Sequence, residues 1–254
     1  MSVKLQPESQ ERIRVAEIDE ARAIQLAMMP RDPLRAGRVE FASKFRPAAE
    51  VGGDFLDFFP LDDHSIAFYL GDVVGKGLPA AMYAALVVGS LRGMHKTGTS
   101  PPAVLQALNR RLRMRIVPGR YCSVQYGTFC PATSELCFAN AGLPRPIHMD
   151  RKGCRELGAG GLPSGLFEGA SYDGYTARLN PGDAVLFSSD GVTDARNRKG
   201  DDFGEQRLLS VCCANARETP EMMLERIFEA VDDFAAGEPQ QDDITLAVLK
   251  VSQV

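Results

Sequence analysis

The stretch "FLDFFPLDDHSIAFYLGDVVGKGLPAAMYAALVVGSL", residues 55–91, sets the fold class. Its first twenty residues carry two apolar runs rich in Phe, Ile, Leu and Val. They are split at Leu61-Asp62-Asp63-His64, which predicts two strands joined by a turn. The remainder is rich in Ala and Leu with no strand-like alternation, which predicts a helix over 79–95. A second helix is expected over 101–116, with Ser100 as its cap and Pro101 at its first position. Upstream, "VEFASKFRPA" (39–48) reads as another strand. Downstream, residues 121–187 return to short strands with turns at Pro131–Ser134, Asp150–Gly153 and Asn180–Asp183. A last helix, 219–235, precedes the strand "DITLAVLKV". Helices are thus grouped between blocks of strands, which indicates α+β rather than an alternating, doubly wound sheet.

Bulk properties narrow the function. The chain has 254 residues, 44% of them hydrophobic, enough for a substantial core. A formal charge of -4 and a pI near 5.5 argue against a nucleic-acid surface. The densest basic run, "NRRLRMR" (109–115), reads as the polar face of a helix. The polar start "MSVKLQPESQ" does not resemble a signal peptide. The longest apolar stretch, 78–91, falls short of the roughly 20 residues needed to span a bilayer. No membrane association is expected. The six cysteines include no Cys-x-x-Cys pair, and Cys212 and Cys213 are too close in sequence to bridge, so reduced thiols and a cytoplasmic location are expected.

Residues 8–29 form a candidate helix that Pro30 ends. Val15, Ile18, Leu26 and Met29 fall in one arc at helical spacing, with Arg22 and Gln25 on the same side. Two readings stand: a helix packed on its own domain, or a coiled-coil-like connector that dimerises or receives a signal. The domain division that follows is a helical connector over 1–30 and one folded domain over 31–254.

The chemistry lies in the acidic residues. Asp54 follows two glycines, Asp72 ends the run "SIAFYL", Asp190 ends "AVLFSS", and Asp242 and Asp243 stand just before "ITLAVL". An isolated Asp-Gly is an ordinary turn. Four carboxylates at strand ends are a different matter, because brought together they repel unless a cation joins them. Oxygen donors of this kind select Mg²⁺ or Mn²⁺ over Zn²⁺. His64, His95 and His148 sit in no nucleophile or zinc context and read as surface or loop residues. "GDVVGKG" lacks the spacing and the Ser/Thr of a P-loop. Two cations sharing a water would favour hydrolysis of a phosphate ester. "VGGDF" also invites comparison with nucleotide cyclases, but Phe55 stands where their signature is acidic, and the later Asp motifs would go unexplained.

Taken in order, "EVGGDFLDF", "GDVVGKGLPAAM", "ANAGLPRP", "FSSDGVTDARN", "FGEQRL" and "QDDITLAVL" resemble the metal-dependent (type 2C, PPM) protein phosphatases. The likeness is to their bacterial branch, typified by sporulation stage II protein E and the regulators of sigma-factor pathways, and it covers residues 40–250. It implies a four-layer αββα sandwich of two antiparallel sheets flanked by helices, with two Mn²⁺ or Mg²⁺ ions at one end. It implies that Asp72 bridges both ions, that Asp54 and the Val73 carbonyl hold one, and that Asp190 and Asp242 hold the other. Asp54 and Asp72 would thus serve catalysis through the metal-activated water. Asp243, Gly53 and Gly191 would support these ligands from behind. Leu143 stands where many members carry an aspartate for a third ion. For the phosphate-binding arginine of eukaryotic members, Lys44 and Arg46 are the weak candidates.

The implied substrate is a phosphoserine or phosphothreonine on a STAS-type anti-sigma-factor antagonist. The segment corresponding to residues 8–29 would join a homodimer partner or an upstream sensor to the helix that follows Asp72. The rival reading is a phosphatase fold without activity, used as a binding module; the presence of all four metal aspartates argues against it.

Overall fold

The computed structural model describes residues 7–61, 64–94 and 98–253. His95, and Asp62 and Asp63 of the expected turn, lie outside them. The chain opens with helix α1 (Pro7–Ala27). The strands β1 (Leu34–Ala36), β2 (Val39–Arg46), β3 (Phe55–Pro60) and β4 (Ile66–Val73) follow. After β4 come α2 (Gly77–Arg92) and α3 (Pro101–Met114). Strands β5 (Cys122–Cys130), β6 (Glu135–Ala141), β7 (Ile147–Asp150), β8 (Gly153–Glu156), β9 (Gly174–Arg178) and β10 (Ala184–Ser188) complete the middle of the chain. Helices α4 (Gly204–Ala214) and α5 (Pro220–Ala235) lead to the last strand, β11 (Ile244–Val251).

Among the described residues the strands form two antiparallel sheets. One has the order β1-β2-β11-β10-β7-β8, the other β3-β4-β5-β6-β9. Three apolar layers glue the assembly. Phe41, Phe68 and Phe187 meet between the sheets, with ring centroids 5.2 Å (Phe41–Phe68) and 4.6 Å (Phe68–Phe187) apart. Tyr69, Tyr126, Val87 and Leu105 join the five-stranded sheet to α2 and α3. Leu186, Leu246, Met223 and Ile227 join the six-stranded sheet to α4 and α5. The result is the αββα sandwich.

This layering explains why "IAFYL" shows no polar alternation: β4 has a sheet on one side and helices on the other, so both of its faces are buried. Phe68 and Leu70 point between the sheets, while Ala67 and Tyr69 point to α2 and α3. By the two-residue period, Asp72 continues the Phe68–Leu70 row and emerges at the mouth between the sheets.

Several boundaries differ from the sequence reading. Helix α4 has a weak, polar-rich pattern, "GEQRLLSVCCA", and escapes prediction. Helix α2 starts two residues before Pro79, with Lys76 at its N-cap. Ser100 occupies the cap position of α3 but makes no side-chain capping bond, whereas Thr219 does cap α5. His148 is buried on β7, between Asp183 and Arg155, not at the surface. The expectation of fully reduced thiols also fails. Cys154 on β8 and Cys213 on α4 form a disulfide across 59 residues of sequence. Sequence alone does not show that the β7–β8 hairpin packs against α4.

Helix α1 is the least covered element. Ile13, Val15, Ile24 and Leu26 are all exposed. Of its described side chains only Gln25 is buried.

Candidate metal centre

The aspartates gather at one end of the sandwich because four different chain segments end there. Asp72 is next to last on β4, and Asp54 immediately precedes β3, its hydrogen-bonded neighbour. Asp190 lies two residues beyond β10, and Asp242 two residues before its neighbour β11. Gly191 makes the latter approach possible: a Cβ there would stand 1.9 Å from the Asp243 carbonyl oxygen. Gly53 does the same on the other side. A Cβ at Gly53 would lie 2.6 Å from the Val73 carbonyl oxygen and 3.2 Å from an Asp72 carboxylate oxygen.

Crowding shows in the acid strengths. Burial, then the neighbouring charges of Asp72 and Asp243, push the Asp54 carboxyl well above the usual range. Burial and the charge of Asp190 push Asp72 up to about 7, although a hydrogen bond with Asp54 pulls the other way. Asp190 is raised by burial, Asp194 and Asp242. Proteins do not collect mutually raised carboxylates at no cost; proton sharing or a bound cation must offset the repulsion.

The two adjacent aspartates have separate jobs. Asp243 is buried, and its carboxylate accepts the N–H groups of Ala48 (2.8 Å), Gly53 (2.7 Å) and, at longer range, Asp54 (3.4 Å). Its oxygens are spent on the loop that carries Asp54. Asp242 leaves one oxygen free of backbone bonds: Oδ1 accepts the Asp243 N–H, and Oδ2 lies 3.5 Å from the Lys76 ammonium. Asp54 is oriented by Thr245, whose hydroxyl donates to Oδ2 at 2.5 Å. Thr245 is held in turn, its N–H bonded to the Ser189 hydroxyl.

The donor set of carboxylates with one adjoining carbonyl, and the glycine cradle around it, fit hard divalent cations rather than Zn²⁺. Asp54, Asp72, Asp190, Asp242 and the Val73 carbonyl are the groups able to hold them. Among the described residues no three acidic, histidine or cysteine side chains are grouped closely enough to hold an ion as they stand; what links the carboxylates is their mutual charge.

Lys44 and Arg46 do not join this cluster. Lys44 pairs with Glu225 (2.5 Å) and Arg46 with Asp232 (2.8 Å), and both cations lie 4.8 Å from the Phe228 ring centre. They seam β2 to α5. A cation that does stand beside the cluster is Lys76, next to Asp242; its signal in the sequence is the Gly-Lys-Gly step directly after Asp72-Val73-Val74.

Comparison with known proteins places this geometry. Residues 62–252 match the family model "Stage II sporulation protein E (SpoIIE)". The chain belongs to the SpoIIE family. Among curated relatives, phosphoserine phosphatase RsbU of Bacillus subtilis is 29% identical over 80% of this chain and 61% of its own length. The SiaA-PP2C domain of Pseudomonas aeruginosa superposes with a TM-score of 0.85 at 21% identity, covering 97% of this chain and 99% of that one. RsbX in complex with magnesium gives a TM-score of 0.65 at 13% identity, covering 87% and 99%. These likenesses establish the PP2C fold. The chain spans 61%, 40% and 45% of the length of the first curated relatives it matches.

Proposed function

We propose that this SpoIIE-family chain is a metal-dependent protein serine/threonine phosphatase. The carrying observation is the convergence of Asp54, Asp72, Asp190 and Asp242, with burial and mutual repulsion raising three of them. In this reading Asp54, Asp72, Asp190, Asp242 and the Val73 carbonyl would hold two Mn²⁺ or Mg²⁺ ions, which when bound would supply a water of lowered pKa and offset charge on the phosphoryl oxygens. The protein's own part is positional. Thr245 and Asp243 fix Asp54, the Gly53 and Gly191 cradles bring the strand ends together, and Lys76 offers an ammonium to the phosphate.

The substrate class is a phosphoserine or phosphothreonine on a STAS-type anti-sigma-factor antagonist in the cytoplasm. The support is the name and likeness of RsbU, a phosphoserine phosphatase. Residues 1–30 serve as connector and 31–254 as the catalytic domain. The exposed Ile13, Val15, Ile24 and Leu26 of α1 offer a face for a second copy or an upstream sensor. No described helix is long and apolar enough to cross a membrane.

The test is phosphate release from a phosphoserine peptide and from p-nitrophenyl phosphate in Mn²⁺, with EDTA as control. Activity should require the metal. It should fall in Asp72→Asn by more than the roughly 10–100-fold typical of an outer-shell change. No metal-dependent release from either substrate, or an unimpaired Asp72→Asn protein, would leave only the binding-module reading.

A further inference from the structure

The segment after Asp72 must present a carbonyl to the site and then turn sharply into a helix. Strand β4 ends at Val73, and α2 begins at Gly77. Gly75 and Gly77 both take left-handed φ values, +99° and +67°. Glycines adopt these angles at no steric cost but bring no side chain to hold them there. The peptide planes between Val73 and Gly75 are fixed from outside, by the residues that lead into β5.

The Val74 N–H donates to the Tyr121 carbonyl at 3.1 Å. A trans peptide unit is planar, with its N–H and C=O pointing opposite ways, so this bond also sets the direction of the Val73 carbonyl. The next plane is held by Arg120, whose Nη1 donates to the Val74 carbonyl. The same guanidinium fills the space a Gly75 side chain would need: a Cβ there would lie 2.2 Å from Nη1 and 3.3 Å from Cζ. Arg120 has an anchor of its own, since its N–H donates to the Val117 carbonyl at 3.0 Å. Two residues on, Cys122 pairs with Val73 and exchanges both backbone hydrogen bonds with Ser164. Among the described residues the half-buried Arg120 side chain makes no ion pair, and its one hydrogen bond goes to the Val74 carbonyl. Its fork serves the backbone of the turn.

We propose that Arg120 is a positioning residue for the metal centre: by clamping the Val74–Gly75 peptide plane, beside the plane that Tyr121 holds, it keeps the Val73 carbonyl aimed at the carboxylates. This rests on the metal-phosphatase reading above. The sign of the effect is diagnostic. By charge alone, removing a cation next to this turn would favour a divalent ion. If Arg120 acts through geometry, removing it weakens the hold on that ion.

The experiment uses the full chain carrying Arg120→Met, which keeps an apolar stem but loses the donors. Arg120→Lys, which keeps the charge but not the planar fork, is the second variant. Mn²⁺ affinity is read by calorimetry, and the Gly75 amide, which lies in the clamped plane, by its NMR resonance in EDTA. Circular dichroism checks that each variant is folded at the assay temperature. We expect the Mn²⁺ Kd to rise about tenfold in Arg120→Met, the scale of an outer-shell change, and by less in Arg120→Lys. The Gly75 resonance should shift in both. A tighter Kd in Arg120→Met would show that only the charge matters and overturn the proposal. An unchanged Kd would overturn it too, because the carbonyl would need no clamp. So would a raised Kd with the Gly75 resonance unmoved, since the effect would not run through the turn. If one variant fails to fold, the other decides by the same criteria. If the wild-type chain bound no Mn²⁺, the metal reading would fail and this proposal with it. Unchanged affinity in the variants beside a metal-binding wild type sinks this proposal alone.

Discussion

Asp242 and Asp243 are identical residues side by side, and their surroundings predict opposite consequences of mutation. In Asp243→Ala, the N–H groups of Ala48 and Gly53 lose partners at 2.8 and 2.7 Å; the 3.4 Å contact with Asp54 counts for little. An orphaned buried N–H costs about 1–3 kcal/mol; Gly53 is buried and Ala48 half-buried, so the two together cost about 3 kcal/mol. Removing the Asp243 charge returns part of this, because that charge helps to raise both Asp54 and Asp72. A net loss of about 2 kcal/mol corresponds to a fall of about 4–8 °C in Tm for a chain of this size. Asp243→Asn should fall between, since one oxygen still accepts while its NH₂ confronts the second N–H.

Asp242→Asn should behave differently. Its side chain is 43% exposed, its oxygen can still accept the Asp243 N–H, and its contact with Lys76 is a partly exposed pair. Such pairs contribute at most about 1 kcal/mol, so Tm in EDTA should move by no more than about 4 °C. Mn²⁺ affinity should drop instead. Thermal unfolding in EDTA and Mn²⁺ calorimetry on the three variants provide the assay. Equal Tm losses in Asp242→Asn and Asp243→Asn, or an Asp243→Ala protein as stable as wild type, would refute the division of labour.

Three further outcomes follow from the same geometry. Folding raises the Asp72 carboxyl to about 7, so the native state binds a proton that the unfolded chain gives up near pH 4. The metal-free protein should therefore lose stability as pH rises from about 4 to 7, and Mn²⁺ should reverse that loss at pH 8; a Tm in EDTA that climbs over this range would contradict it. Lys76→Ala should raise KM for a phosphoserine peptide roughly tenfold with a smaller effect on kcat, the size of one charge-assisted hydrogen bond of about 1.5 kcal/mol, and steady-state kinetics will show it. Reducing the Cys154–Cys213 disulfide, or Cys213→Ser, should lower stability by up to about 4 kcal/mol, from the 59-residue separation. Urea unfolding with and without reductant measures this, and coincident curves would show that the crosslink adds nothing.

What was legible in the sequence was whatever repeats a local rule. The apolar runs of β4 and β10 lead into aspartates, that of β11 follows a pair of them, and a strand end next to glycine announces itself. So does the grouping of helices between blocks of strands. Helix α4 was not legible because only Leu208 and Cys212 are buried along it, too sparse a stripe to stand out from a loop. On α1, Val15 and Leu26 have the spacing of one helix face, yet both are exposed. Of the two polar residues in that arc, Arg22 and Gln25, it is Gln25 that goes inside, its amide bonded to the backbone of Gly52. Spacing can say which side of a helix a residue is on, but burial of an amide depends on finding a free donor and acceptor, and Gly52 lies 27 residues away in sequence. Asp243 makes the same point at the metal end. Residue type marks it as a ligand equal to Asp242, but the N–H groups of Ala48 and Gly53 arrive from nearly 200 residues upstream and claim its oxygens first. With its oxygens accepting the Ala48 and Gly53 N–H groups, Asp243 organises the loop that carries Asp54, whereas Asp242 keeps an oxygen that takes no backbone N–H.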